Sequence, residues 1–138
     1  MTEQTETKYH QRLQQIREEM VKRSMTHFYS VVTDPHMTEF THPYYRHIEW
    51  LCGFTGFTAQ IVITATQAHF WTDSVYYLQA QEELDKDWQI HKLDDSTILT
   101  PCKFILRSPK IRLGYNPETT HYFAFNEFEN QRNEIKYQ

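Results

Sequence analysis

The stretch that decides the fold runs from residue 60 to residue 93 and reads QIVITATQAHFWTDSVYYLQAQEELDKDWQIHKL. Two strand-like runs, QIVIT (60–64) and AHFWT (68–72), are separated by three residues, which predicts an antiparallel hairpin. Asp73 and Ser74 follow and supply a suitable N-cap for a helix over VYYLQAQEELDK. The alternating WQIHKL (88–93) predicts a further strand. The order strand, strand, helix, strand is typical of one half of a mixed sheet.

The flanking segments predict more helices and strands of the same kind. Before the hairpin, apolar residues at helical spacing predict a helix from Thr7 to Ser24, and HFYSVV predicts a buried strand at residues 27–32. After it, IRLGY predicts a strand at residues 111–115. The other assignments are a helical turn or a short strand at 102–106, a helix at 118–132 and a short strand at 134–137. Together they predict a layered α/β domain.

Composition excludes several classes of protein. Net charge is −4 and the lysines and arginines are scattered, which argues against nucleic-acid binding. No apolar run approaches the length of a membrane span, and the N-terminus carries no signal-peptide h-region. We therefore expect a cytoplasmic protein of one small domain, whose core is built largely from aromatic rings, since these make up 15% of the residues.

Histidines are the first candidates for metal chemistry, because the chain has eight. His36, His42 and His47 lie close to Asp34 and Glu39 in a segment without clear periodicity. Their spacings of five and six residues match neither HxxxH nor HExxH. The spacing favours a histidine-rich surface loop, and an enzyme with a novel site in this region remains an alternative.

The two cysteines, Cys52 and Cys102, have no CxxC spacing, so free thiols are favoured over a disulfide. Cys52 lies near His47 and Glu49, which is compatible with a thiol nucleophile and its base. Its apolar neighbours favour a packing role instead. The sequence also lacks GxSxG, P-loop and GxGxxG motifs. These residues therefore predict no active site.

Aromatic side chains are concentrated around a turn predicted at the glycine pair Gly53 and Gly56. A ring cluster at such a turn is typical either of a contact surface for a peptide or subunit, or of core packing. The sequence leaves both interpretations open. The members of this cluster are Tyr44, Tyr45, Trp50, Phe54 and Phe57.

Four segments in one order resemble the amino-terminal, creatinase-like domain of the aminopeptidase P family. They are DPHMTEF (34–40), YRHIEWLCGFTGF (45–57), FWTDSVYYLQAQEELDKDW (70–88) and KIRLGYNP (110–117). The family pattern is approximately DPHxSEY, RLEWLTGFTGSAG, WTDGRYxLQA and RVGVDP. The resemblance covers about residues 10–117.

The resemblance implies a three-layer, ribonuclease H-like α/β fold with a mixed central sheet flanked by helices, formed by residues 1–138 as one domain. It implies a non-catalytic domain that packs on a pita-bread metallopeptidase domain or a homologous subunit, shapes the mouth of the substrate channel and supports homo-oligomer contacts. Full-length relatives release the first residue from peptides whose second residue is proline. Their two metal ions, commonly manganese, are held by the catalytic domain, which we expect to be absent here. No cofactor is expected in this chain.

Within the matching motifs, the resemblance implies a set of channel or interface residues: Tyr45, Arg46, Trp50, Phe54, Phe57, Asp73 and Tyr76. Two motifs depart from the family pattern. Phe57 stands where the family has a serine, and Ser74-Val75 replaces Gly-Arg, removing a planar donor that valine cannot replace. A stand-alone peptide- or protein-binding module that reuses the fold is therefore the alternative function.

Overall fold

The computed structural model describes residues 8–31, 47–93, 100–108 and 110–115. These ranges contain four helices and five strands. In chain order they are α1 (Lys8–Lys22), β1 (His27–Val31), α2 (His47–Cys52), β2 (Gln60–Ile63), β3 (Ala68–Thr72), α3 (Ser74–Glu83), β4 (Gln89–Lys92), α4 (Pro101–Leu106) and β5 (Leu113–Tyr115).

The five strands form one mixed sheet in the order β4-β3-β2-β1-β5. Strand β2 pairs antiparallel with β1 and with β3, so the predicted hairpin is confirmed. The outer pairs, β3 with β4 and β1 with β5, are parallel. Parallel neighbours need a crossover, and α3 supplies it between β3 and β4.

Helices cover both faces of the sheet, which confirms the predicted layered α/β fold. Alternation along β2 sends Ile61 and Ile63 into the larger core, beneath α1, α2 and α3. Val62 points to the opposite face of the sheet. There it packs in a smaller core with Trp71 of β3 and Ile105 of α4. The sheet is therefore shared by two apolar layers.

Local residue choices fix the limits of two helices. Residues 102–106, whose sequence fits either a helical turn or a strand, are helical because Thr100 accepts a hydrogen bond from the Lys103 amide (3.2 Å) and Pro101 occupies the first turn. The sequence predicts a turn at Gly53 and Gly56 and no helix in the residues before it. The chain first forms α2 there, which ends where Gly53 takes φ +84° and donates to the Glu49 carbonyl (2.8 Å).

Several predicted segments lie outside the described residues: the loop and the motif at 34–46, the helix at 118–132 and the strand at 134–137. Among the helices that are described, none combines the length and apolar character needed to cross a bilayer.

Candidate functional site

The outer surface of α1 and α2 carries a preorganised aromatic–cation group, here called the Trp50 patch (Tyr9, Arg12 and Trp50). The Trp50 side chain is 50% exposed. The Arg12 guanidinium lies over the Trp50 ring at 4.6 Å and over the Tyr9 ring at 5.6 Å. It also donates to the Trp50 carbonyl. Stacking and hydrogen bonding together hold a cation between two rings at the surface.

Local packing explains why these side chains meet. Helix α1 buries Leu13 completely, and α2 buries Ile48 and Leu51, so the two helices share one apolar seam. Trp50 falls between the buried positions of α2 and must face outward. Gly53 makes room for the patch, because a Cβ there would lie 2.9 Å from Cζ of Tyr9.

A second group of predicted site residues is core, not surface. Phe54 is completely buried and packs edge-to-face on Phe70, with ring centroids 4.8 Å apart, and on Tyr76 at 6.1 Å. Gly56 lies against these rings, where a Cβ would clash with the Phe54 side chain. Phe57 is partly buried. The aromatic cluster is therefore divided between core rings and the exposed Trp50.

Asp73 has a structural role at the start of α3. Its carboxylate accepts a hydrogen bond from the Tyr76 amide (3.2 Å), which makes it the N-cap of the helix. Val75, where the family pattern has arginine, is 82% exposed. The departure from the family pattern therefore replaces a charged side chain by an apolar one on the surface of this helix.

A hydrogen-bond network ties the glycine-containing loop to α3. The Thr55 amide and hydroxyl donate to the two carboxylate oxygens of Glu83, at 2.9 and 2.8 Å. Gln79 donates to both partners, at 2.8 Å to the Thr55 hydroxyl and 3.2 Å to the Glu83 carboxylate. Bidentate binding of this kind fixes the loop that follows α2.

The remaining candidates do not assemble a reactive centre in the described ranges. Tyr45, Arg46, His36 and His42 lie outside them, and His47 is exposed. No three His, Cys, Asp or Glu side chains come together as metal ligands in the part of the chain that is described.

Neither cysteine forms a disulfide, and both are buried. Cys52 donates to the Ile48 carbonyl (3.1 Å), and burial raises its pKa to about 12. A thiol that stays protonated at neutral pH is a poor nucleophile. The geometry therefore favours the packing role for Cys52.

The α4 side of the sheet carries a histidine pair that sequence reasoning missed. The rings of His69 on β3 and His91 on β4 lie nearly parallel, with planes 14° apart and centroids 5.2 Å apart, and Nδ1 of His69 is 2.9 Å from Nε2 of His91. Nε2 of His69 lies 3.0 Å from the Gln67 side-chain oxygen. Burial, and then the neighbouring His91, lower the pKa of His69 to about 4.

The sequence indicates only part of the Trp50 patch and of the histidine pair. Tyr9 and Arg12 lie three residues apart, on one face of a helix, but nothing local indicates that α2 docks beside them. Both histidines lie in segments correctly predicted as strands. Their contact depends on the parallel pairing of β3 with β4, which strand patterns do not specify.

The fold and these surfaces define a three-layer α/β domain that carries an exposed aromatic–cation patch. The chain matches the family model of the creatinase/prolidase N-terminal domain over residues 12–136. The chain therefore belongs to that family, which confirms the family resemblance seen in the motifs.

The relatives that this chain matches are larger proteins, and the match covers only one part of each. Xaa-Pro aminopeptidase 2 of the rat (Rattus norvegicus) is 36% identical over 81 residues, which cover 59% of this chain and 12% of the relative. The crystal structure of X-prolyl aminopeptidase from Caenorhabditis elegans, described as a cytosolic enzyme with a dinuclear active site, superposes with a TM-score of 0.81 at 23% identity. That match covers 91% of this chain and 22% of the other.

A third match is an N-terminal domain by itself. The creatinase/prolidase-like N-terminal domain of a metallopeptidase from Corynebacterium diphtheriae superposes with a TM-score of 0.64 at 18% identity, over 90% of this chain and 88% of that one. Both solved structures share the fold. The matched part of this chain spans about one eighth of the length of the rat enzyme.

Proposed function

We propose that this chain, as one domain of residues 1–138, is the non-catalytic amino-terminal domain of an Xaa-Pro aminopeptidase-type metallopeptidase. In this role it packs against a pita-bread catalytic domain or a homologous subunit, shapes the mouth of the substrate channel and supports homo-oligomer contacts. The proposed location is the cytoplasm, in line with the cytosolic enzyme of Caenorhabditis elegans.

The Trp50 patch is the observation that carries this proposal. Tryptophan, tyrosine and arginine are the residue types that dominate binding energy at protein interfaces. Here the Arg12 guanidinium is already held between two rings, so little side-chain entropy is lost when a partner binds. Tyr45 and Arg46 precede the same helix in the sequence and belong to the proposed interface.

Metal chemistry is assigned to the partner. The described residues do not fit a dinuclear centre, since they hold no cluster of His, Cys, Asp or Glu ligands. In the proposed assembly the catalytic domain binds the divalent metal, manganese by the family resemblance, and supplies hydrolysis. This chain contributes contacts and shape.

The test is affinity capture with the intact chain from extracts of the organism that encodes it, followed by mass spectrometry. A pita-bread metallopeptidase polypeptide is the expected partner. A variant that combines Arg12→Ala and Trp50→Ala is expected to reduce its recovery at least about tenfold, as loss of two interface anchors does. The control, Val21→Ala, alters a 76% exposed apolar residue of the same helix and should retain the partner.

A direct assay of the isolated chain tests the non-catalytic assignment. With manganese present, no release of the first residue from an Xaa-Pro tripeptide is expected. Turnover by the pure chain, abolished by EDTA, would contradict the proposal.

A stand-alone binding module is the second candidate function, and a separate observation favours it. A groove of about 1110 Å³ opens on the α4 side of the sheet, on the face opposite the α1–α2 layer. Binding sites are concave and contain a few convergent polar groups. Capture of a non-peptidase partner through this groove, with the Trp50 patch variant behaving as wild type, would favour this second function.

A further inference from the structure

The groove on the α4 side is lined by parts of the sheet, by α4 and by two connecting segments. Its floor is formed by β3 and β4, which present His69, Trp71 and His91. One wall is the end of α4 with the residues that follow it, including Phe104 and Arg107. The turn between β2 and β3 and the start of β1 close the other sides. The groove is open, which suits a peptide segment better than a small molecule that needs an enclosed pocket.

The described residues that line this groove carry charge opposite in sign to that of the whole chain. The chain has 18 acidic residues and a net charge of −4, yet none of the described residues lining the groove is Asp or Glu. Arg107 and Lys110 line it and are both exposed. Neither forms an ion pair within the described ranges. Two cations whose described neighbours in the groove include no carboxylate attract an anion.

The hydrogen bonds fix the protonation of the histidine pair. Nε2 of His69 faces the side-chain oxygen of Gln67, so this nitrogen carries the proton. Nδ1 of His69 then accepts a hydrogen bond from Nε2 of His91. His91 is therefore left with Nδ1 as an acceptor, and no described residue is bonded to it. A ligand that presents an N–H or O–H donor as well as negative charge therefore matches both features of the groove.

We propose that this groove binds a short acidic peptide segment in an extended conformation. Peptide carboxylates pair with Arg107 and Lys110, a backbone N–H donates to Nδ1 of His91, and an apolar side chain packs beside Phe104. A peptide supplies donors, acids and apolar groups together, whereas two cations are few for a phosphate backbone. This inference is independent of the Trp50 patch, and it rests on the groove of the second candidate function, whose ligand class it names.

Fluorescence anisotropy of the full chain with a labelled peptide tests the proposal. The probe is fluorescein-Gly-Glu-Phe-Glu-Phe-Gly, and its partner probe has glutamine for glutamate. We expect saturable binding of the acidic peptide, at least about tenfold weaker binding of the glutamine peptide, and weakening between about 50 and 300 mM salt. The double variant Arg107→Gln, Lys110→Gln should bind the acidic peptide at least about tenfold more weakly.

A matched control carries the same charge change elsewhere. Lys22 and Arg23 are exposed on α1 and pair with Glu19, so Lys22→Gln, Arg23→Gln leaves the groove intact. This variant should bind within about twofold of wild type. Equal loss in both variants, no saturable binding at millimolar peptide, or tighter binding of a labelled oligothymidine than of the peptide would each overturn the proposal. The Trp50 patch variant should bind the peptide normally, which separates this test from the test of the docking role.

Discussion

Single residues on the α4 side of the sheet make stability depend on pH. His69 is 7% exposed and its folded-state pKa is lowered to about 4, chiefly by burial. Between about pH 6.5 and 4 the unfolded chain takes up a proton there that the folded chain does not, so the free energy of unfolding falls as pH falls. From about pH 7 to pH 5 His69 alone is expected to contribute a loss of about 1–2 kcal/mol.

Urea unfolding at about pH 7, 6 and 5 measures this loss. In His69→Gln the side chain no longer titrates, so the loss over the same range should be smaller by about 1–2 kcal/mol. Burial also lowers the pKa of His27 and His91, which leaves a residual dependence of the same sign. An identical pH dependence in wild type and variant would contradict the assignment to His69.

The buried thiols make a second prediction at the scale of the residue. With a pKa of about 12, Cys52 is almost entirely protonated at neutral pH, and both cysteines are shielded from reagents. We expect native thiol labelling by Ellman's reagent to be at least about 100-fold slower than in concentrated guanidinium chloride, where both thiols react. Rapid labelling of one native thiol would contradict this expectation and support the alternative that a cysteine acts as a nucleophile.

At the scale of the element, α3 depends on its cap. Asp73→Ala removes the acceptor for the Tyr76 amide, and the expected cost is about 1 kcal/mol in the free energy of unfolding. Asp73→Asn retains an oxygen acceptor and is the matched control, with an expected change of less than about 0.5 kcal/mol. Chemical denaturation measures both. If alanine and asparagine had equal effects, the capping role of Asp73 would be wrong.

At the scale of the whole molecule, one sheet joins two apolar layers, so the layers should unfold together. Ile105→Ala creates a cavity in the smaller layer, where the side chain is completely buried, and is expected to cost about 2–4 kcal/mol. Trp88 lies in the larger layer. Trp71 lies in the smaller layer, so tryptophan fluorescence reports on both layers. The transitions followed by fluorescence and by far-UV circular dichroism should shift to lower denaturant together.

Leu78→Ala is the control for this experiment, because Leu78 is 71% exposed and its truncation should change stability by less than about 0.5 kcal/mol. Separate transitions by fluorescence and circular dichroism in Ile105→Ala would show that the two layers are not one cooperative unit.

Sequence alone determines most of the described elements and the family of this protein. The strand-like runs QIVIT and AHFWT, with only three residues between them, leave an antiparallel hairpin as the simple solution, because local hydrogen bonding and side-chain period act over a few residues. The N-cap at Asp73 is predictable for the same reason. The order of the motifs along the chain is enough to indicate the family, because it does not depend on how the elements pack.

Tertiary structure decides which predicted site residues face solvent. Phe54 and Trp50 belong to one aromatic cluster in the sequence, yet one is completely buried and the other is half exposed. The docking of α1 on α2 places Arg12 on Trp50, across 38 residues of chain. The parallel pairing of β3 with β4 likewise creates the His69–His91 contact. Such contacts depend on how elements pack over long sequence separations, which no local pattern encodes.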